Sequence, residues 1–213
     1  MGHKKSASSN MDEDSMPETD VSKEFLNFFI TELKNTYWAE KHLCKALVKF
    51  QKIVSAVSLK NAIASHLTST KLHVERLEEI FEVLGDPPGV KKSEAMAEMI
   101  DELSNIIDET EKGSHTRDAR FVLAIQKIEQ YEIATYDSLV QLARTMGNED
   151  IISLLEETLE EEKQANETLT ALAESTFENI PSKTGESKQQ HGDEEQPVTV
   201  YSSINLTPKN TGK

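Results

Sequence analysis

The sequence predicts an all-α fold: one antiparallel bundle of four long helices, with an additional short helix in the crossover between helices 2 and 3. Three observations carry this prediction. Glycine and proline number only 8 and 6 in 213 residues, and 6% of residues are aromatic. The middle of the chain is rich in Leu, Ala, Glu and Lys, which enter a helix at least cost. Apolar residues recur there in alternating steps of three and four, the spacing of one helix face, and no β-rich run interrupts them.

Residues 1–20 are polar, charged and aperiodic, and read as a disordered tail. The bundle is expected over residues 21–178. Its first helix runs from about Ser22 to Ser55 and its second from about Ser58 to Leu84. Gly85-Asp86-Pro87-Pro88-Gly89 stops the second, because proline has no amide hydrogen to continue a helix. Ser93 is placed to cap a shorter helix reaching about Lys112, with Met96, Met99, Ile100, Leu103 and Ile107 on one face. Gly113-Ser114 ends it. The third long helix spans about Arg117 to Met146, Gly147-Asn148 closes it, and the fourth reaches about Phe177. Residues 179–213 contain Pro181, Pro197 and Pro208 among Lys, Gln, Ser and Asn, and read as a second disordered tail. The tight connections make helices 1 and 2, and likewise 3 and 4, antiparallel neighbours. The roughly 30 residues between the hairpins can cross the length of the bundle, which is ferritin-like connectivity.

The net charge of −15 and pI near 4.8 argue against nucleic-acid partners and anionic membranes, since such a surface repels phosphate. No apolar run approaches the roughly 18–20 residues of a membrane span, and the first 20 residues lack the apolar stretch of a signal peptide. Cys44 is the single cysteine, so no intrachain disulfide can form, which suits a reducing, cytoplasmic setting. Met1-Gly2-His3-Lys4-Lys5-Ser6 fits a loose N-myristoylation pattern, and Asn166-Glu167-Thr168 and Asn205-Leu206-Thr207 fit glycosylation sequons. All three are short enough to arise by chance.

The seams of the four helices are apolar at their ends and ionisable in their middles. The first runs Leu26, Phe29, Leu33, Thr36, Glu40, Leu43, Leu47, Phe50; the second carries His66, Thr70 and His73 between Ile63 and Leu77. The third carries Glu129, Glu132 and Tyr136 between Ile125 and Leu139, and the fourth Glu162 between Leu155 and Leu169. In antiparallel hairpins the helix centres share one level, so Glu40, His66, His73, Glu129, Glu132 and Glu162 are expected to converge. An unpaired buried carboxylate costs several kcal/mol, and no seam supplies Lys or Arg to pair with these. Divalent metal ions answer that problem, and carboxylate with imidazole suits iron, manganese or zinc. The i, i+3 step of Glu129 and Glu132 would let one helix serve two ions. Taken singly, each group has a plainer reading: a glutamate with its head in water, or a core histidine bonded to Thr70 or a tyrosine. Glu156, Glu157, Glu160 and Glu161 read as solvated surface.

Several stretches resemble the bacterial YciE/YciF-type ferritin-like family: ELKNTYWAEKHL (Glu32 to Leu43), HVERLEEIFE (His73 to Glu82), Ser93-Glu94-Ala95-Met96 and Arg117-Asp118-Ala119. The closest matches are KIEQYEIATY (Lys127 to Tyr136) and LEETLEEEK (Leu155 to Lys163). The resemblance covers roughly residues 22–176. It implies a ferritin-like bundle, usually a homodimer, with a two-metal centre and a link to stress responses, and no defined reaction. Glu40, Glu129, Glu132 and Glu162 match the family's acidic seam positions, and His66 its helix-2 histidine. Three positions depart from the pattern. Thr68-Ser69-Thr70 stands where a glutamate usually follows His-Leu, Gln130 where histidine is frequent, and Asn166 where aspartate is. No Glu-x-x-His step occurs either. These departures point to a centre that is weakened, mononuclear or lost.

Two functions stay open on the sequence. One is a bundle that binds two iron or manganese ions, with Tyr37 and Tyr136 near the acids. The other is a metal-free structural or interaction bundle without catalysis. An iron-storage shell fits less well, because the family resemblance points to small assemblies.

Overall fold

The structure is a computed structural model and describes residues 18–178, with side chains over 22–177. Among the described residues there are five α-helices and no strand: α1 Glu18–Phe50, α2 Val57–Leu84, α3 Glu94–Glu109, α4 His115–Met146 and α5 Glu149–Glu178. Helix α1 packs on α2 and α4 on α5, while α2 meets α5 and α1 meets α4, so the four long helices close a ring. Helix α3 touches α4 and α1. The myristoylation pattern, the second sequon and almost all of both expected tails lie outside the described residues.

The boundaries differ from expectation where tertiary contacts decide them. Helix α1 already includes residues 18–20, which the sequence reading gave to the tail. At its other end α1 stops at Phe50, short of Ser55. The chain folds back, with the Ile53 and Val54 amides on the Phe50 carbonyl and Val54 buried. The amides of Ser55 and Ala56 then donate to the Asp118 carboxylate at 2.9 and 2.7 Å. This substitutes for a side-chain cap on α2, whose N-cap Ala56 has none to offer. Helix α3 stops at Glu109, not Lys112, because the neighbouring Arg117 takes its last carbonyls: the guanidinium donates to the carbonyl of Ile107 at 2.8 Å and to that of Thr110. Arg117 and Asp118, both buried, therefore hold two separate chain reversals from the first turn of α4.

Ser93 and Ser114 cap α3 and α4 by accepting from the amides of Met96 and Arg117. Helices α2 and α4 end on Gly85 and Gly147 with φ of 67° and 70°, a left-handed conformation that costs glycine least. One apolar cluster, around Leu43, Leu47, Phe50, Ile63, Phe121 and Ile125, fills one end of the bundle and includes Leu103 and Ile106 of α3. Ile106 was missed by the sequence reading, which named Ile107 for that face. A second cluster, around Phe29, Leu33, Leu77, Phe81, Leu139 and Leu155, fills the other end. Leu26, assigned to the α1 seam, is 38% exposed, because at that point α1 has run beyond the packed end.

Candidate metal centre

Between the two apolar clusters lies a buried polar belt. Glu40 comes from α1, His66 and His73 from α2, Glu129 and Glu132 from α4, and Glu162 from α5, and none exposes more than 5% of its surface. Helical spacing explains the convergence: seven residues separate the two histidines and three separate the two α4 glutamates, so each pair shares a face. The ligand atoms fall into two groups, each within 4.8 Å: His66, Glu129, Glu132 and Glu162, and Glu40, His73 and Glu162. The shared residue is Glu162. Glu129 and Glu132 stay together in one group, so α4 does not divide between the two positions as its spacing had suggested.

His66 Nδ1 lies 2.7 Å from Glu129 Oε1, and its Nε2 lies 3.8 Å from Glu132 Oε2. His73 Nδ1 lies 2.9 Å from Glu162 Oε1 and 3.9 Å from Glu40 Oε2. These are charge contacts. Neither nitrogen of His66, nor His73 Nδ1, nor any oxygen of Glu129, Glu132 or Glu162 has a partner in hydrogen-bonding alignment. Glu40 keeps one bond, from the Tyr136 hydroxyl to Oε1 at 2.6 Å, while its Oε2 has none. Buried polar atoms are normally satisfied. So many orphaned donor atoms aimed at two points fit a divalent cation, and a His/Glu group of this composition can hold one.

The electrostatics show the strain of putting these groups together. Burial pushes Glu40 up to about 7, against the pull of His73. Burial also lifts Glu132 well above the usual carboxylate range, reinforced by Glu162, Glu40 and Glu129, and raises Glu129 against the pull of His66. Glu162 goes the other way: burial would raise it, but the imidazoles of His73 and His66 hold it below the ordinary value. Burial disfavours the His66 cation, yet Glu129, Glu162 and Glu40 outweigh it and bring the ring to about 9. His73 is raised by the same balance, with Glu162 and Glu40 against burial.

Glu161, read from sequence as solvated surface, belongs to this site. It accepts from His73 Nε2 at 2.9 Å and takes both terminal nitrogens of Arg76, at 2.9 and 2.8 Å. Arg76 also reaches Glu157 at 2.6 Å. The Arg76 guanidinium, with His73, holds Glu161 below the usual carboxylate range. With Nε2 donating outward, the Nδ1 lone pair of His73 is left for the centre, the way a carboxylate orients a ligating imidazole. The only sequence signal was indirect: Arg76 stands one turn beyond His73, and Glu161 directly beside Glu162.

Other expectations resolve differently. Tyr136 reaches a central acid, whereas Tyr37 donates to Glu78 on α2 at 2.5 Å. His66 is not bonded through the Thr70 side chain to its ring; the Thr70 hydroxyl donates to the His66 carbonyl at 2.8 Å. Gln130 and Asn166 line an outer cavity with Lys127 and Arg120 that touches none of the six residues. Those two departures from the family pattern therefore lie outside the six-residue belt.

Residues 24–180 match the family described as a domain of unknown function, DUF892. Protein YciF of Escherichia coli (strain K12) is 40% identical over 146 residues, spanning 68% of this chain and 87% of that protein. The crystal structure of the E. coli stress protein YciF aligns with a TM-score of 0.70 at 38% identity, covering 73% of this chain and 98% of that one. YcfI of Rhodopseudomonas palustris aligns at 0.66 with 30% identity, over 76% and 98% of the two chains. A two-domain protein of Anabaena variabilis with DJ-1/ThiJ/PfpI-like and ferritin-like domains aligns at 0.54 with 14% identity, over 89% and 50%, a likeness of fold alone. No helix among the described residues is long and apolar enough to cross a membrane. The chain belongs to the DUF892 family, the family of YciF, and carries a ferritin-like helical fold.

Proposed function

We propose that this is a stress-associated, cytoplasmic, homodimeric protein whose bundle core binds two iron or manganese ions. The observation that carries the reading is Glu162, a buried carboxylate common to two groups of His and Glu ligand atoms, most of which have no aligned hydrogen bond. His66, Glu129 and Glu132 would hold one ion, Glu40 and His73 the other, with Glu162 between them. Such ions supply one-electron redox chemistry when bound. The chain supplies the rest: Glu161 fixes the His73 tautomer, Tyr136 positions Glu40, and the flanking apolar clusters close the two ends of the belt. The stress association rests on the relative named as a stress protein; the homodimer rests on the family resemblance, and light scattering checks it.

The test is elemental analysis of untagged protein, followed by anaerobic titration of the metal-free form with ferrous iron. Two equivalents are expected, with Glu129→Gln losing about one and Glu162→Gln losing both. Absence of stoichiometric metal in a folded wild-type protein refutes the reading.

One observation favours a metal-free structural bundle instead. Each histidine of the belt already stands against a buried carboxylate, His66 Nδ1 at 2.7 Å from Glu129 and His73 Nδ1 at 2.9 Å from Glu162, so the belt carries charge pairs of its own. On that reading Glu132→Leu stabilises the fold, since an apolar side chain replaces a buried acid; a loss of stability in metal-replete buffer counts against it.

A further inference from the structure

A cavity of about 340 Å³ opens between α2 and α5 and has His66 in its wall. Three other surface cavities touch none of the six residues of the centre. The opening follows from sequence. Ala62, Ser65, His66 and Ser69 form one stripe of α2, and Glu161, Gln164, Ala165 and Thr168 the facing stripe of α5, each at steps i, i+3, i+4 and i+7. Within the α2 stripe Ala62, Ser65 and Ser69 are too small to fill the seam, and Ile63 lines the cavity beside them. Further along the same seam Arg76 ties α2 to Glu157 and Glu161, so the His73 side is shut while the His66 side is open.

We propose, resting on the two-metal reading, that this cavity binds the centre's co-reactant, a small uncharged molecule of the hydroperoxide class, and delivers it on the His66 side. The lining decides the chemistry. Hydroxyls of Ser65, Ser69 and Thr168 and the amide of Gln164 can donate and accept hydrogen bonds, beside the apolar side chains of Ile63, Ile125 and Leu169. Anions are repelled by a chain of net charge −15. Cations gain little, because Arg76 already neutralises Glu161. The volume lies at the lower end of small-molecule sites. His66 is 95% buried, and both its ring nitrogens lack aligned partners, so the wall of the cavity is one side chain away from the centre.

Two variants outside the six residues narrow the cavity from opposite walls: Ser69→Leu on α2 and Ala165→Leu on α5. Circular dichroism and ferrous titration establish that each folds and loads like wild type. Stopped-flow absorbance then follows oxidation of the loaded protein by hydrogen peroxide. One peroxide takes one electron from each of two ferrous ions and two protons, giving two ferric ions and two waters. A fall of at least about tenfold in this rate is expected in both variants, the size of effect lost with a mispositioned reactant. In the metal-free protein, methanol serves as the uncharged probe: its titration should shift the Ser69 and Thr168 amide resonances saturably, and the shifts should vanish in Ser69→Leu. Unchanged oxidation rates at full metal loading overturn the proposal. If wild type loads no metal, the two-metal reading fails, and the methanol titration alone decides whether the cavity binds small uncharged ligands.

Discussion

Removing metal should leave a protein whose stability falls as pH rises, opposite to the usual gain through the carboxylate range. Glu40 titrates near 7 in the folded chain and near 4.5 unfolded, so between those values the folded state holds the extra proton. The stabilisation of the protonated form is complete below about 4.5 and is lost as pH rises through 7. His66, raised from 6.5 to about 9, has the same sign over the higher window. At 1.36 kcal/mol per decade, each contributes roughly 3 kcal/mol. Because the two share charges, their joint loss is on the order of 5 kcal/mol, or about 10–20 °C in Tm for a domain of this size. Glu161 and Glu162 are lowered by their partners, so their stabilisation is lost only as pH falls below about 4.5, which places the optimum near pH 5. Thermal melts by circular dichroism of chelator-treated protein, from about pH 5 to about pH 9, read this directly. Saturating manganese should reverse the slope, because cations replace the protons and bind only deprotonated ligands. A metal-free Tm that is flat or rising between about pH 5 and pH 8 would show that the belt does not store protons as described.

Two further outcomes follow from the supporting contacts. Asp118→Ala should cost about 2–3 kcal/mol in urea unfolding, since two backbone amides lose a charged acceptor, and Asp118→Asn should recover part of it. Glu161→Gln should leave the fold intact but weaken manganese binding at the His73 position by about 10–100-fold in an equilibrium titration.

Much of the architecture was legible because it depends on local signals: proline and glycine at 85–89, glycine at 147, serine caps at 93 and 114, and the three-and-four apolar step. The six central groups were legible for the same reason, since helix period and antiparallel pairing fix their level. What escaped depends on which neighbour a side chain meets. Glu161 sits in a run of acids whose members differ only in rotation about α5, and nothing in the run marks the one that faces His73 and Arg76. Arg117 and Asp118 are charged yet buried, and their partners lie up to 63 residues away. The choice of Glu162 as the shared carboxylate follows from how α5 sits between α2 and α4, which no single-helix pattern contains. Leu26 kept the seam's period beyond the point where the seam still has a partner.

The clasp made by Asp118 also bears on how the chain assembles. The reversal between α1 and α2 is completed by a group that is not present until the start of α4 has docked. A fragment holding only α1 and α2 would leave the Ser55 and Ala56 amides uncapped and Leu47, Phe50 and Ile63 without Phe121 and Ile125 to cover them. Arg117 imposes the same dependence on α3. Neither hairpin is thus a self-sufficient folding unit, and native-state hydrogen exchange should find the α1–α2 and α4–α5 amides opening together in one cooperative transition.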